Sequence, residues 1–178
     1  IQNDVNGFPR AGAVKLLDHG VHRLFMGING DSGGPPFPRP TAFWWRMPDG
    51  RRLLVYIGDS YPMGYTYFHE SDWRRGPVPR VADTAFRPPH AGDFFKTDEG
   101  SLRQAHEICL QRLRNLESKG YRYSTLVLPF TNQWRMDNDP PFPPLADFVA
   151  EWNRLGLQPE MRLVTAADAL EQFEAEAG

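Results

Sequence analysis

The sequence has few of the features that mark membrane-spanning, disulfide-rich or nucleic-acid-binding proteins. Its single cysteine, Cys109, excludes an internal disulfide framework and a cysteine-rich zinc site. No apolar run approaches the ~20 residues that span a bilayer, and no secretory signal peptide is visible. The 20 Lys and Arg residues are balanced by 22 Asp and Glu residues, so the charge predicts no nucleic-acid partner and no membrane partner. Localisation and oligomeric state stay open.

Proline and glycine, by contrast, are abundant. The chain has 17 Pro and 16 Gly in 178 residues. Because aromatic residues are plentiful too, we expect long ordered loops rather than disorder. The length suits one ordinary domain with a core of its own, and the sequence predicts a single domain over residues 1–178.

Helical and strand-like segments alternate along the chain. Apolar residues at helical spacing predict a helix over Ala11 to His19, a second over Ser101 to Lys119, and a third that carries Phe148 and Trp152. Thr165 is typical of the residue that caps a fourth helix. Strands are predicted in "VHRLFMGI", "YSTLVLPF" and "MRLVT", and a hairpin is predicted around the Asp49-Gly50 pair. This alternation favours an α/β sheet with parallel strands.

Polar side chains follow several of these apolar runs. In α/β proteins the binding site lies beyond the carboxyl ends of the strands, so residues just after each run are the candidates for a site. Acids and amides bind hydroxyl groups, and aromatic rings cover the apolar face of a sugar, so this mixture suits a polyol ligand. The candidates are Asp4, Asn29, Asp31, Asp59, Tyr61, Asn132 and Gln133.

Four stretches together resemble a known family. "NDVNG", "HGVHRLFMGING", "FWWRMPDGRRLLVYIGDSY" and the later "TNQWRMDNDPP" with its following helices are similar to the catalytic domains of glycoside hydrolase family 38, in particular its divergent bacterial members. The resemblance implies a (β/α)7 barrel of the glycoside hydrolase and deacetylase type, with long Pro/Gly-rich loops. The chain would be the middle-to-late part of that barrel. It also implies a carbohydrate or glycoside substrate and a retaining, zinc-dependent glycosidase related to α-mannosidases.

The resemblance assigns roles to particular residues. Asp4 and Gly7 match the Asp-x-x-Gly context in which the family's nucleophile also ligates zinc. Phe8 and Pro9 stand where the family has a His-Ser or His-Thr pair. The His-x-Asp pair that supplies further zinc ligands is absent from this sequence, so most of the ligands would lie outside it.

The acid/base of the reaction is harder to place. Asn132 stands where the resemblance expects an acid, and an amide cannot donate the proton that a leaving group needs. Asp137 is the nearest acidic candidate, with Asn138 beside it as a substrate contact. His69, in the aromatic segment "YTYFHESDW", is a further candidate for contact with the sugar.

Two other functions fit the same residues. A non-catalytic sugar-binding or structural barrel domain would use the same polar and aromatic residues without the acid, because a fold does not fix a function. A deacetylase-like metal hydrolase is a narrower variant of the enzyme hypothesis.

Overall fold

The computed structural model describes residues 1–3, 7–27, 38–58, 63–69, 95–130 and 143–177. The chain forms two compact units. The first unit comprises Ile1–Tyr61, Leu116–Pro129 and Val164–Gly178. The second unit comprises Pro62–Asn115 and Phe130–Leu163.

The first unit is built on a four-stranded mixed sheet. Its strands are β1 (Gln2–Asn3), β2 (Arg23–Gly27), β3 (Thr41–Arg46) and β4 (Arg52–Gly58), in the spatial order β1-β2-β4-β3. The pairs β1–β2 and β2–β4 are parallel, whereas β3 runs antiparallel to β4. The two central strands are buried along almost their whole length, as expected for parallel strands that are covered on both faces.

Helix α1 (Arg10–Asp18) covers one face of the sheet. Alternate residues of a strand point to opposite faces, so every second residue faces this helix. Ala13 and Leu17 of α1 pack against a cluster of alternate residues from β2 and β4. These sheet residues are Leu24, Met26, Leu53, Val55 and Ile57.

The C-terminal helix, α4 (Ala166–Ala177), covers the other face. Leu170 and Phe173 of α4 are buried against Phe25 of β2 and Tyr56 of β4. The rings of Phe25 and Tyr56 stack at 5.5 Å, and Phe173 meets Tyr56 edge-on at 5.0 Å. The sheet is therefore the middle of three layers.

The hairpin predicted at Asp49-Gly50 is confirmed. It joins β3 to β4, and it is closed by hydrogen bonds from the Met47 N–H to the Arg51 carbonyl and from the Gly50 N–H to the Met47 carbonyl. Gly50 has a φ of 86°, a conformation that glycine adopts without a steric cost. The Asp-Gly pair in the sequence encodes this turn.

The second unit contains a 3-10 helix (Met63–Tyr67), most of α2 (Glu99–Ser118) and all of α3 (Pro143–Arg154). Its core is aromatic. Phe68 lies 5.6 Å from Phe148 and 5.7 Å from Trp152, measured between ring centroids, and Phe95 lies 5.1 Å from Phe148. The indole N–H of the fully buried Trp152 donates to the Pro159 carbonyl at 2.9 Å, which satisfies its one polar atom.

Side-chain caps define where two helices begin. The Asp98 carboxylate accepts the Ser101 N–H at 3.0 Å before α2, and this hydrogen bond lowers the pKa of Asp98. The Thr165 hydroxyl accepts the Asp168 N–H at 3.2 Å, while the Asp168 carboxylate accepts the Thr165 N–H. This is a reciprocal capping box, so the cap predicted at Thr165 is confirmed.

The predicted (β/α)7 barrel is wrong. A barrel closes its sheet and keeps one face inside, but here helices α1 and α4 pack on opposite faces of an open sheet. The antiparallel strand β3 lies at one end of the strand order. Among the residues that the structure describes, the sheet of the first unit is open and is covered by a helix on each face.

Two predicted strands are also wrong, and in each segment the backbone groups of one residue bond a side chain instead of a neighbouring strand. In "YSTLVLPF", the backbone N–H and carbonyl of Val127 both bond the hydroxyl of Tyr56, at 3.2 and 3.4 Å. In "MRLVT", the N–H and carbonyl of Met161 both bond the side-chain amide of Asn153, at 3.0 and 2.8 Å. In each case a side chain occupies backbone groups that a strand would use for a ladder.

The thiol of Cys109 is expected to be unreactive in the folded protein. Cys109 is 3% exposed, and burial raises its pKa to about 11 from 9.0, which leaves roughly one hundredth as much thiolate at pH 8. A thiol reagent at pH 8 should label the unfolded chain readily and the folded chain at least about a hundredfold more slowly. Equal labelling rates with and without denaturant would contradict this placement.

The carboxylate of Glu176 is expected to make stability depend on pH. Burial alone would raise its pKa, but hydrogen bonds from the Thr125 hydroxyl and the Ser124 N–H outweigh burial and lower it. The stabilisation is therefore present above pH 4.5 and is lost as the pH falls through the folded pKa. Solvent screening limits it to less than about 1 kcal/mol.

Glu176→Gln should lower the Tm near pH 7 and leave it nearly unchanged in strong acid. Glu171→Gln, an exposed change on the same helix, is the matched control and should alter the Tm little at either pH. A Tm difference for Glu176→Gln that grows in acid would contradict the assignment.

Candidate functional site

The candidate site lies at the carboxyl edge of the three parallel strands. Asn3, Gly27 and Gly58 are the last residues of β1, β2 and β4, and they are direct partners in the register. Because neighbouring strands lie about 4.8 Å apart, this row spans ~10 Å from Asn3 to Gly58. Three strand ends therefore meet within ~10 Å of one another.

Gly58 allows aromatic rings to pack tightly at this edge. A Cβ atom at Gly58 would lie 3.1 Å from Cζ of Phe25 and 3.1 Å from Cε1 of Tyr56. Both rings are buried in the cluster that α4 covers, so neither has room to move aside. A residue larger than glycine at the end of β4 would therefore push against these two rings.

The connection from β1 to α1 also depends on a glycine. Gly7 has a φ of 98°, in the left-handed region that other residues rarely adopt, and Pro9 then caps α1 with an extended backbone. The Asp-x-x-Gly context of the sequence therefore includes a glycine that the backbone requires.

Ion pairs of the first unit lie at the opposite, amino ends of the parallel strands. Arg23, the first residue of β2, pairs with Glu174 at 2.6 Å. Arg51, just before β4, contacts Asp49 at 2.7 Å and Asp18 at 3.0 Å. The hydrogen bond between the side chains of Arg51 and Asp49 lowers the pKa of Asp49 and raises that of Arg51. These pairs hold the hairpin and the helix ends, away from the candidate edge.

Most of the residues predicted for the site fall outside the residues that the structure describes. These are Asp4, Asn29, Asp31, Asp59, Tyr61, Asn132, Gln133, Asp137 and Asn138. His69 is described: it is half-buried and follows the 3-10 helix of the second unit, beside Phe68 of the aromatic core. The structure aligns the strand ends that precede Asp4, Asn29 and Asp59, and the roles of the side chains stay predictions.

The described residues do not fit a zinc site. Across residues 1–3, 7–27, 38–58, 63–69, 95–130 and 143–177, no three His, Cys, Asp or Glu side chains come together in a group that could hold a metal ion. A protein zinc site needs three or four such ligands, and Asp4 would supply only one.

Comparisons with protein-family models, with curated proteins and with solved structures find no match for this chain. Among the helices that the structure describes, none is long and apolar enough to cross a membrane.

Sequence reasoning overlooked the part that His106 plays in the second unit. The position of His106 off the apolar stripe of α2 is typical of a solvated side chain. Instead its Nε2 lies 2.7 Å from the Gln158 carbonyl, and its ring meets Trp152 edge-on at 5.3 Å. The contact joins residues 52 positions apart, and no local pattern in the sequence signals it.

Gly58→Ala is expected to destabilise the first unit by roughly 1–3 kcal/mol, because the new methyl group would overpack two buried rings. Gly12→Ala is the matched control. Its Cβ would also meet a ring at 3.1 Å, but that ring belongs to the half-buried Phe8, and alanine favours the helix interior by about 1 kcal/mol. Denaturant unfolding of both variants tests this, and equal effects would contradict the packing described at the edge.

Proposed function

We propose that this protein is a carbohydrate-active hydrolase, a retaining glycosidase that resembles the α-mannosidases of glycoside hydrolase family 38. In this proposal Asp4 is the nucleophile, and Asn29, Asp59 and Tyr61 bind hydroxyl groups of the sugar. The remaining roles rest on the sequence alone. They are Asp137 as the acid/base, and His69, Asn132 and Asn138 as substrate contacts.

The observation that carries the proposal is the register of the three parallel strands. Asn3, Gly27 and Gly58 are aligned, and Asp4 and Asp59 are the next residues of the chain after the first and last of them. In the sequence, both carboxylate-bearing residues thus directly follow described residues that share one short edge. Asn29, two residues after Gly27, starts from the strand between them. Acids and an amide at such an edge suit a ligand rich in hydroxyl groups.

Retaining hydrolysis takes place in two successive steps and needs two carboxyl groups. A carboxylate, here Asp4, attacks the anomeric carbon while an acid donates a proton to the departing glycosidic oxygen. The glycosyl–enzyme bond then breaks as water attacks the same carbon, and the former acid takes the proton of that water. Hydrogen bonds to the sugar hydroxyls hold the ring in place through both steps.

The family resemblance further implies zinc, with Asp4 as one ligand. The described residues offer no ligand set for it, so the proposed steps use protein groups and water only. Metal content is therefore measured alongside activity rather than assumed.

A non-catalytic sugar-binding protein is the second candidate. The residue that favours it is Asn132, an amide at the position where the resemblance expects an acid. Such a protein would bind glycosides through the same strand edge without cleaving them.

Activity is measured on a panel of aryl glycosides that includes α-mannosides. Asp4→Asn is expected to lower kcat/KM for the best of these substrates by at least roughly a thousandfold, because an amide cannot form the covalent intermediate. Asp49→Asn is the matched control: it removes the same charge at the hairpin, at the other end of the sheet, and should change kcat/KM less than about twofold. Zinc analysis of both proteins, purified alike, shows whether Asp4 also affects metal content.

Two results would decide against the enzyme. Full activity in Asp4→Asn would remove Asp4 from the mechanism. A folded wild-type protein that binds glycosides but cleaves none of them would replace the hydrolase by the sugar-binding protein.

A further inference from the structure

A cleft of about 290 Å³ lies in the first unit, between the start of β3 and the segment that follows α2. One wall contains Pro40, Thr41 and Ala42, and the other consists of residues 119–123. Its volume is near the lower end of the roughly 300–1,000 Å³ typical of small-molecule sites. None of the residues predicted from the sequence belongs to it.

Two tyrosines in the cleft are held in fixed positions. Their rings meet edge-on, 5.5 Å apart. The Tyr121 hydroxyl donates to the Thr125 carbonyl at 2.6 Å, and the Tyr123 hydroxyl donates to the Ala42 carbonyl at 3.3 Å. Because these bonds fix the rings before any ligand arrives, little conformational entropy is lost when a ligand packs against them.

The cleft also carries two exposed cations. Lys119 and Arg122 lie on the same wall, and the Arg122 guanidinium stands 5.4 Å from the centre of the Tyr123 ring. Within the part of the chain that the structure describes, neither side chain forms an ion pair. The neighbouring carboxylate of Glu176 is occupied by Ser124 and Thr125. The charge of the cleft wall is therefore positive.

The cleft borders the candidate edge. Thr41 is the register partner of Ile57, the residue before Gly58. A glycan held at the ends of the parallel strands would need to extend past only one strand, about 5 Å, to reach the cleft.

We propose that this cleft binds an acidic sugar unit, with its carboxylate or sulfate group on Lys119 and Arg122 and its ring against Tyr121. Arginine pairs with planar carboxylates through two parallel hydrogen bonds, and aromatic rings cover the apolar face of a sugar. The inference rests on the proposed function, because only that function makes the ligand a glycan. It narrows the substrate class to glycans that carry negative charge.

The test is binding of trigalacturonate to the full chain by titration calorimetry, with maltotriose as the neutral probe and inorganic phosphate as the simple anion. The double variant Lys119→Gln/Arg122→Gln should weaken trigalacturonate binding by at least about tenfold, because two charge-assisted contacts are lost. Lys15→Gln/Arg46→Gln, two exposed cations near the amino ends of the parallel strands, is the matched control and should change the Kd less than about twofold. Circular dichroism confirms that both variants are folded.

Three results would overturn the inference: equal binding by both double variants, equal binding of maltotriose and trigalacturonate, or phosphate that binds as tightly as trigalacturonate. The last result would mean a simple anion site. Binding is measured without turnover, so its outcome is independent of Asp4→Asn. If the protein binds trigalacturonate through Lys119 and Arg122 but hydrolyses no glycoside, the hydrolase proposal is rejected and the proposed binding site in the cleft is retained.

Discussion

The first unit depends on the way in which Tyr56 is buried at the centre of its sheet. The side chain is fully buried on β4, stacks on Phe25, meets Phe173 of α4 edge-on, and bonds both backbone groups of Val127 through its hydroxyl. One residue thus links two strands, the C-terminal helix and an irregular segment. Because the hydroxyl is the only group that pairs with both the N–H and the carbonyl of Val127 in the described structure, phenylalanine could not replace this function of the tyrosine.

Patterns that depend on near neighbours in the chain could be predicted from the sequence. The bounds of α1 and α2 differ by two residues at most from those predicted, and the hairpin and the Thr165 cap follow from Asp-Gly and Thr-x-x-Asp signals. The two wrong strands have the right composition, but a strand exists only if a partner ladder is available. Instead, Tyr56 bonds the backbone groups of Val127 and Asn153 bonds those of Met161, and no local pattern in either segment reveals these contacts.

The candidate site was predictable only in part, for a related reason. The rule that polar residues after parallel strands form the site identified Asp4, Asn29 and Asp59, but the sequence does not contain the order β1-β2-β4-β3 that aligns the strand ends. The cleft beside β3 was missed altogether. Its two walls are about 80 residues apart in the chain, and only the alternation of Tyr121, Arg122 and Tyr123 hints at a binding surface.

The two ends of the sheet differ in how the nearby charges are paired. The amino ends of the parallel strands carry the ion pairs of Arg23 and Arg51, whose charges are neutralised within the described structure. The carboxyl ends finish in two buried glycines, Gly27 and Gly58, and the neighbouring cleft carries the cations Lys119 and Arg122 without an ion pair to any described residue. Charges that are paired within the fold contribute to stability and have little left to offer a ligand, whereas accessible cations beside fixed aromatic rings can still recognise an anion. The proposal that a charged glycan binds at the carboxyl edge and its cleft follows from the same asymmetry.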